Sequence, residues 1–230
     1  MEQTTTRGPG ETAAPNLLVR VGQVFAAPGR LFEALAARPV WLDVFLLLIA
    51  STVASQLVIP EETFRAIFMQ QIPADTPPEQ IERILSFTRT WGLVIGAVSL
   101  PLALVVVAGL LILAYNVMLG GDATFRQLFS ATAHAFLILS AGGWIVLALI
   151  LLGSEQVVLS PFLALEGFLD LGDGYLARIA YRINIFAVWT CAVLGIAVGK
   201  LYPKRSAGGA TTYLLVLYLL LVAVSALQGG

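Results

Sequence analysis

Few side chains in this sequence could carry out chemistry, and their types and spacing do not form a catalytic set. The single histidine, His134, and the single cysteine, Cys191, exclude a multi-histidine metal site, an internal disulfide and a cysteine-based metal cluster. Glu166, Asp170 and Asp173 are close in sequence, but without histidine or cysteine they would form only a weak cation site, and a solvated turn explains them. The sequence contains no nucleophile–base pair, phosphate loop or nucleotide fingerprint. It therefore predicts a protein that is not an enzyme and has no catalytic residue, metal or cofactor.

Three polar residues stand inside or beside long apolar blocks. His134 could act as a proton relay, because ionisable groups within a membrane are often functional. Since no acidic partner lies within the apolar blocks, a neutral, hydrogen-bonded histidine near the membrane boundary is favoured. Asn116 and Asn184 could cap helices, line a polar pocket or bridge helices. Hydrogen bonding between helices is the favoured interpretation of both asparagines.

Small residues recur at every fourth position in two of the apolar blocks. This spacing keeps them on one face of a helix, where they let another helix backbone approach closely. Packing within one bundle is the favoured interpretation, and an oligomer interface is the alternative. The positions are Ala187, Cys191, Gly195 and Gly199 in one block, and Gly92 and Gly96 in the other.

The composition indicates a membrane protein. Of the 230 residues, 58% are hydrophobic and 12% are charged, whereas a soluble domain has about 45–50% apolar and about 25% charged residues. The apolar residues lie in long uncharged blocks, as transmembrane helices require. The first block starts at Trp41, too far into the chain for a secretory signal, so it is expected to be a retained span. A net charge of −1 gives no basic field that would attract nucleic acid.

These blocks predict an all-α, polytopic transmembrane helical bundle with five spans and interfacial amphipathic helices. The second span has 27 uncharged residues, more than the roughly 20 needed to cross a bilayer, so we expect tilt or a kink at Pro101. The predicted spans are residues 41–59, 92–118, 131–152, 183–199 and 211–227.

The sequence before the first span divides into two parts. Residues 1–16 are polar and are predicted to be a disordered tail. Residues 17–40 have apolar side chains at helical spacing, divided at Pro28, and are predicted to lie as amphipathic helices in the headgroup plane. The remaining residues, 41–230, form the predicted transmembrane domain.

Two long loops carry further predictions. A short helix over 79–90 is expected in the hydrophilic loop after the first span, where Pro77 and Pro78 mark its start. The stretch 156–169 is apolar, but with only 14 residues and Glu166 it is expected to be interfacial or re-entrant.

The distribution of lysine and arginine predicts the orientation. Eight basic residues lie on the side of the amino terminus and five on the other, which places the amino terminus in the cytoplasm and the carboxyl terminus outside the cell membrane. Lys200, Lys204 and Arg205 in the last loop contribute most clearly, and they could also attract anionic lipid weakly.

Three sequence features resemble the Yip-domain family, the Ypt/Rab-interacting membrane proteins and their prokaryotic relatives. The resemblance covers about residues 20–227. Its features are Pro28 ahead of Leu31 and Phe32, the motif Gly121-x-x-x-Phe125-Arg126-Gln127-Leu128-Phe129, and Ile183-Asn184-Ile185-Phe186-Ala187-Val188-Trp189, in which Phe186-x-x-Trp189 is the most specific part.

The resemblance implies a five-span bundle with a cytoplasmic amino terminus. Eukaryotic members of the family are linked to vesicle trafficking, small GTPases, membrane shaping and association with each other. Here the amino-terminal tail is short and has no obvious partner motif, which argues against GTPase binding.

Two classes of function are consistent with the sequence. The first is a non-enzymatic scaffold or membrane-organising protein that contacts the lipid bilayer. The second is a small transporter or channel, which the near-absence of charged residues in the spans disfavours. A homo- or hetero-oligomer formed through the transmembrane helices is left open.

Overall fold

Nine α-helices and one π-helical turn form the helical structure in the computed structural model, which describes residues 15–69, 72–73, 75–153, 171–172 and 174–227. The predicted all-α class is confirmed. The helices are α1 (Leu17–Ala26), α2 (Pro28–Ala37), α3 (Leu42–Val58), α4 (Glu61–Met69), α5 (Pro78–Ile112, continued by the π-helical turn Leu113–Met118), α6 (Phe125–Leu151), α7 (Tyr175–Arg182), α8 (Ile185–Leu201) and α9 (Ala207–Leu227).

The amino-terminal segment forms two helices that meet at Pro28, as predicted. The side chain of Asn16 caps α1 by accepting from the Val19 amide at 2.9 Å, and Pro28 opens α2, where a missing N–H costs nothing. The apolar faces do not simply rest on lipid, however. Residues such as Val24 and Leu31 are fully buried in the same core as α6 and α8, so the bundle itself provides their apolar surroundings.

Helix α5 is longer than expected. The predicted short helix over 79–90 and the predicted span over 92–118 form one continuous helix that runs through Pro101. Together with the π-helical turn, α5 has 41 residues, which is about 61 Å and twice the roughly 30 Å of a hydrocarbon core. A helix of this length is too long to lie entirely within a hydrocarbon core along the bilayer normal.

Helix α6 passes through the middle of the bundle. It begins at a capping box, in which Thr124 and Gln127 satisfy each other's backbone amides. The helix thus starts six residues before the predicted third span, 131–152. Twelve of its residues are buried, against α1, α2, α3, α5 and α8.

Among the described helices, three are long and apolar enough to cross a membrane: Pro78–Met118, Phe125–Leu151 and Ala207–Leu227. A fourth crossing results if α3 and α4, which meet at a 90° bend, count as one broken span. Helix α8 is apolar but has only 17 residues. Five spans therefore remain a prediction. The stretch 156–169, with Glu166, Asp170, Asp173 and most of the predicted tail, lies outside the described residues.

The described loops and short helices lie at two opposite ends of the bundle, where hydrogen bonds and ion pairs hold them. We call the end with α1, α2, the α5–α6 loop and the α8–α9 loop the platform end, and the end with α4, α7 and the last turn of α9 the distal end. The platform-end contacts are Gln127 Nε2 to Ala36 O at 2.7 Å, Lys200 Nζ to Glu33 at 3.1 Å and Arg205 Nη2 to Leu119 O at 3.1 Å. The distal-end contacts are Tyr175 OH to Ala223 O at 2.8 Å, Arg178 Nε to Ala226 O at 3.2 Å, and the ion pairs Arg65–Glu82 at 2.5 Å and Arg89–Glu61 at 3.3 Å.

Candidate functional site

A buried polar cluster at the platform end joins α1, α3 and α6. Arg20 of α1 is only 3% exposed, although it is charged. Its Nη1 lies 2.9 Å from Nε2 of His134, its Nη2 donates to Asp43 Oδ2, and its Nε donates to Pro15 O at 2.8 Å. We call Arg20, His134 and Asp43 the arginine clamp.

The geometry of the clamp fixes the protonation of the histidine. His134 Nδ1 lies 2.8 Å from the carbonyl oxygen of Ser130, which can only accept, so Nδ1 carries the proton. Nε2 then accepts from the arginine, which never deprotonates in proteins. The neutral, hydrogen-bonded histidine favoured by the sequence is what this geometry supports. A second proton would place two cations side by side in a buried site, so the arrangement suits a structural clamp better than a proton relay.

Arg20 was not among the site residues predicted from the sequence. Arg20 and Val24 are both buried and four positions apart, so the charged side chain lies on the apolar face of α1. A cation on the apolar face of an amphipathic helix was the available signal. Its pairing with Asp43 could not be read from the sequence, because the two residues belong to different helices.

A second polar contact bridges α3 and α6 within the spans. Ser51 Oγ lies 2.8 Å from Ser140 Oγ, and Trp144 Nε1 donates to Ser51 Oγ at 2.7 Å. These residues border a cleft of about 320 Å³. The hydroxyls that line it bond to one another or, for Thr52 and Ser55, to carbonyl groups of α3. This pattern is typical of contacts that hold transmembrane helices together.

Asn116, in the π-helical turn, and Gly121, in the loop that follows it, both lie beside Tyr202. Tyr202 donates to Asn116 Oδ1 at 2.6 Å, and Asn116 Nδ2 donates to Ala123 O at 2.7 Å. A Cβ added to Gly121 would overlap the Tyr202 ring and lie 2.7 Å from Tyr115 O, so this position is tightly enclosed. Burial raises the pKa of Tyr202 to about 12, and Asp122 acts in the same direction. The hydroxyl therefore stays protonated and keeps its donor role.

The aromatic residues of the family motifs have separate positions. Phe186 covers Gly142 of α6 so closely that an added Cβ would lie 2.9 Å from Cε2 of the ring. Trp189 contacts Phe25 of α1 edge-on, with ring centroids 5.7 Å apart. Phe125 stacks on Phe129 at 5.7 Å at the start of α6. The structure does not bring these three aromatic residues into one site.

Three of the four small residues of α8, namely Cys191, Gly195 and Gly199, lie beside α9. A Cβ added to Gly195 would lie 2.7 Å from the backbone nitrogen of Thr211, and one added to Gly199 would lie 3.1 Å from the Ala207 nitrogen. Cys191 Sγ approaches Leu214 O at 3.9 Å. Ala187 borders an apolar cavity of about 200 Å³.

The other predicted packing positions are less enclosed. A Cβ at Gly96 would be 3.4 Å from Thr52 Cγ2 of α3, an ordinary contact, whereas nothing within 4 Å faces Gly92. Asn184 caps α8 by accepting from the Phe186 amide at 2.7 Å, and its own amide donates to Tyr218 OH at 3.1 Å. Within the described part of the chain, no three His, Cys, Asp or Glu side chains form a group that could hold a metal ion.

Comparisons with known proteins agree with the resemblance in the motifs. A family model described as "Yip1 domain" matches residues 22–227. The chain is also similar to the membrane protein YknW of Bacillus subtilis (strain 168), with 24% identity over 178 residues, which is 77% of this chain and 76% of that protein. No solved structure gives a significant match. The apolar helices and the match over nearly the whole chain agree: this integral, multi-pass membrane protein belongs to the Yip1 domain family.

Proposed function

We propose that the protein is a non-enzymatic membrane scaffold with five spans, whose platform end presents α1 and α2 to a partner in the cytoplasm or in the membrane. The arginine clamp is the observation that carries this proposal. It fixes an amphipathic helix, which apolar contacts alone would allow to shift on the bundle, in one position through the buried Arg20 side chain. A fixed surface of this kind suits a protein that holds others in place.

The positions of the first and last described helices support five spans. Helix α1 lies at the platform end, through its contact with His134, and the last turn of α9 lies at the distal end, through Tyr175 and Arg178. Ends on opposite sides of a membrane require an odd number of crossings. The 17 residues of α8, about 25 Å of helix, are within the roughly 17–25 residues that transmembrane helices use.

Exposed apolar side chains on α1 support a role in binding. Leu18 is 82% exposed and Val19 45% exposed, although both belong to a helix that is fixed to the bundle. Such side chains can contact lipid headgroups and acyl chains, or another membrane protein. The transporter alternative gains little from the cleft beside Ser51, whose polar side chains are already hydrogen-bonded.

A cross-linking experiment tests the scaffold proposal. A photoreactive amino acid replaces Leu18, which is exposed, or Val24, which is fully buried in the same helix and is the matched control. We expect discrete protein adducts in cells from position 18 and only intramolecular products from position 24. Adducts to lipid alone from position 18 would contradict the scaffold function.

A flux assay separates the alternative function. The purified protein is reconstituted in liposomes loaded with rubidium ions and a small anionic dye. We expect release at the rate of protein-free liposomes. Protein-dependent release of either solute would favour a transporter or channel over a scaffold.

A further inference from the structure

Two adjoining cavities follow the crevice between α5 and α9 at the platform end. The larger, of about 490 Å³, is lined by Lys204, Arg205, Ser206 and the ends of both helices. The smaller, of about 200 Å³, continues along the same two helices and is lined almost entirely by apolar side chains such as Leu110 and Leu217. Tyr213 borders both cavities.

The larger cavity has the chemistry of an anion site. Lys204 makes no hydrogen bond or ion pair with any part of the chain that the structure describes, so its ammonium group is available to a ligand. Arg205 uses Nη2 to hold Leu119 O at 3.1 Å, which fixes its guanidinium group at the rim. None of the described residues that line this cavity is acidic. Two cations without a lining carboxylate favour a phosphate group.

The smaller cavity has the chemistry of an acyl-chain site. Its walls come from α5, α6, α8 and α9, and its lining includes Phe136 and Leu194. Between the two cavities, the Tyr213 ring packs edge-on against Tyr115 at 5.9 Å. A tyrosine at this level separates a polar region from an apolar one, as aromatic residues do at membrane boundaries.

We infer that this crevice binds one anionic glycerophospholipid, with its phosphate beside Lys204 and Arg205 and an acyl chain along α9 past Tyr213. A free phosphate ion would satisfy only the larger cavity, and a neutral lipid only the smaller one. The inference does not depend on the scaffold function, because it concerns a different face of the bundle.

Lipid binding to the purified protein in detergent tests the inference. The probes are dioleoyl phosphatidylglycerol, dioleoyl phosphatidylcholine, glycerol 3-phosphate and inorganic phosphate, measured by native mass spectrometry and by thermal stabilisation. We expect preferential binding of phosphatidylglycerol. Lys204→Gln should weaken it about fivefold, and Lys204→Gln with Arg205→Gln about 30-fold, since each basic residue near a membrane adds about fivefold.

Matched variants separate the lipid from other anions. Lys200→Gln changes a neighbouring cation that pairs with Glu33 and does not line the cavity, so phosphatidylglycerol binding should not change. Leu217→Trp fills the apolar cavity and should weaken binding of the lipid without affecting glycerol 3-phosphate. Lys204→Gln removes no contact within the described chain, so its folding is expected to be normal.

Several outcomes would overturn the inference. Equal binding of phosphatidylcholine and phosphatidylglycerol would remove the role of the two cations. Unchanged phosphatidylglycerol binding in the double variant would likewise show that Lys204 and Arg205 do not bind the lipid phosphate. Inorganic phosphate binding as tightly as the lipid, with no effect of Leu217→Trp, would show a simple anion site.

Discussion

The contact between Gly195 and α9 gives the sharpest stability prediction. A Cβ at position 195 would lie 2.7 Å from the Thr211 backbone nitrogen and 2.9 Å from its Cα, and it would also overlap the side-chain oxygen. Rotation of the Thr211 side chain can relieve only the last of these contacts. Because the other two involve backbone atoms, Gly195→Ala must displace α9 itself.

The size of the effect follows from two opposing contributions. Overpacking of a well-packed contact costs about 1–3 kcal/mol. Alanine also stabilises a helix interior relative to glycine by about 1 kcal/mol. A matched control removes the second contribution: Gly109 lies inside α5 with nothing within 4 Å of an added Cβ. Gly195→Ala should therefore be less stable than Gly109→Ala by about 1–3 kcal/mol.

Two measurements check this prediction. Thermal unfolding in detergent gives the stability difference between the two variants. Labelling of Cys191, the only cysteine, reports the position of α9 directly, because its Sγ lies 3.9 Å from Leu214 O. We expect faster labelling in Gly195→Ala than in Gly109→Ala. Equal stability and equal labelling of the two variants would refute the close contact between α8 and α9.

Three further changes have defined outcomes. Gly121→Ala should lower stability in a detergent unfolding assay by about 1–3 kcal/mol, because the added Cβ overlaps the Tyr202 ring. An unchanged midpoint of the unfolding transition would contradict the close packing of this turn against Tyr202. Asp43→Asn should lower the free energy of unfolding by a similar amount, about 1–3 kcal/mol, because it leaves the buried cation of Arg20 poorly paired. The loss is smaller than for a fully buried ion pair, because the Asp43 side chain is 45% exposed and its charge is screened by solvent. Adding Arg20→Met should restore part of that loss, and a strictly additive double variant would argue against the pair. A reporter fused after Gly230 should be found outside the cell and one fused to the amino terminus inside, whereas both on one side would contradict an odd number of spans.

The sequence predicted the helices better than their ends. Every predicted span coincides with a helix, because long uncharged blocks leave the backbone no other way to satisfy its hydrogen bonds in lipid. The boundary expected near Gly92 is absent, since a change from polar to apolar side chains does not interrupt a helix. The π-helical turn Leu113–Met118 has no signal in the sequence that we could identify.

The surroundings of α1 and α2 could not be predicted from their periodicity. An apolar stripe shows that one side of a helix avoids water, but lipid and protein serve that purpose equally well. Only the contacts of Val24, Leu31 and Phe32 with the core reveal that protein covers the stripe. The same limit applies to Gly195 and Gly121, whose neighbours come from other helices.

The arginine clamp explains how α1 keeps one position on the bundle. Apolar contacts alone would tolerate a small rotation or slide of a ten-residue helix. A planar guanidinium has its donors in a fixed fork, so it can be satisfied by three acceptors only in one arrangement. Two of the acceptors, Asp43 and His134, belong to α3 and α6, whereas Pro15 lies in the segment that leads into α1 itself. Asp43 and His134 therefore set the position of α1 on the bundle. The buried cation thus adds little to stability by itself, but it selects a single docking position for the helix.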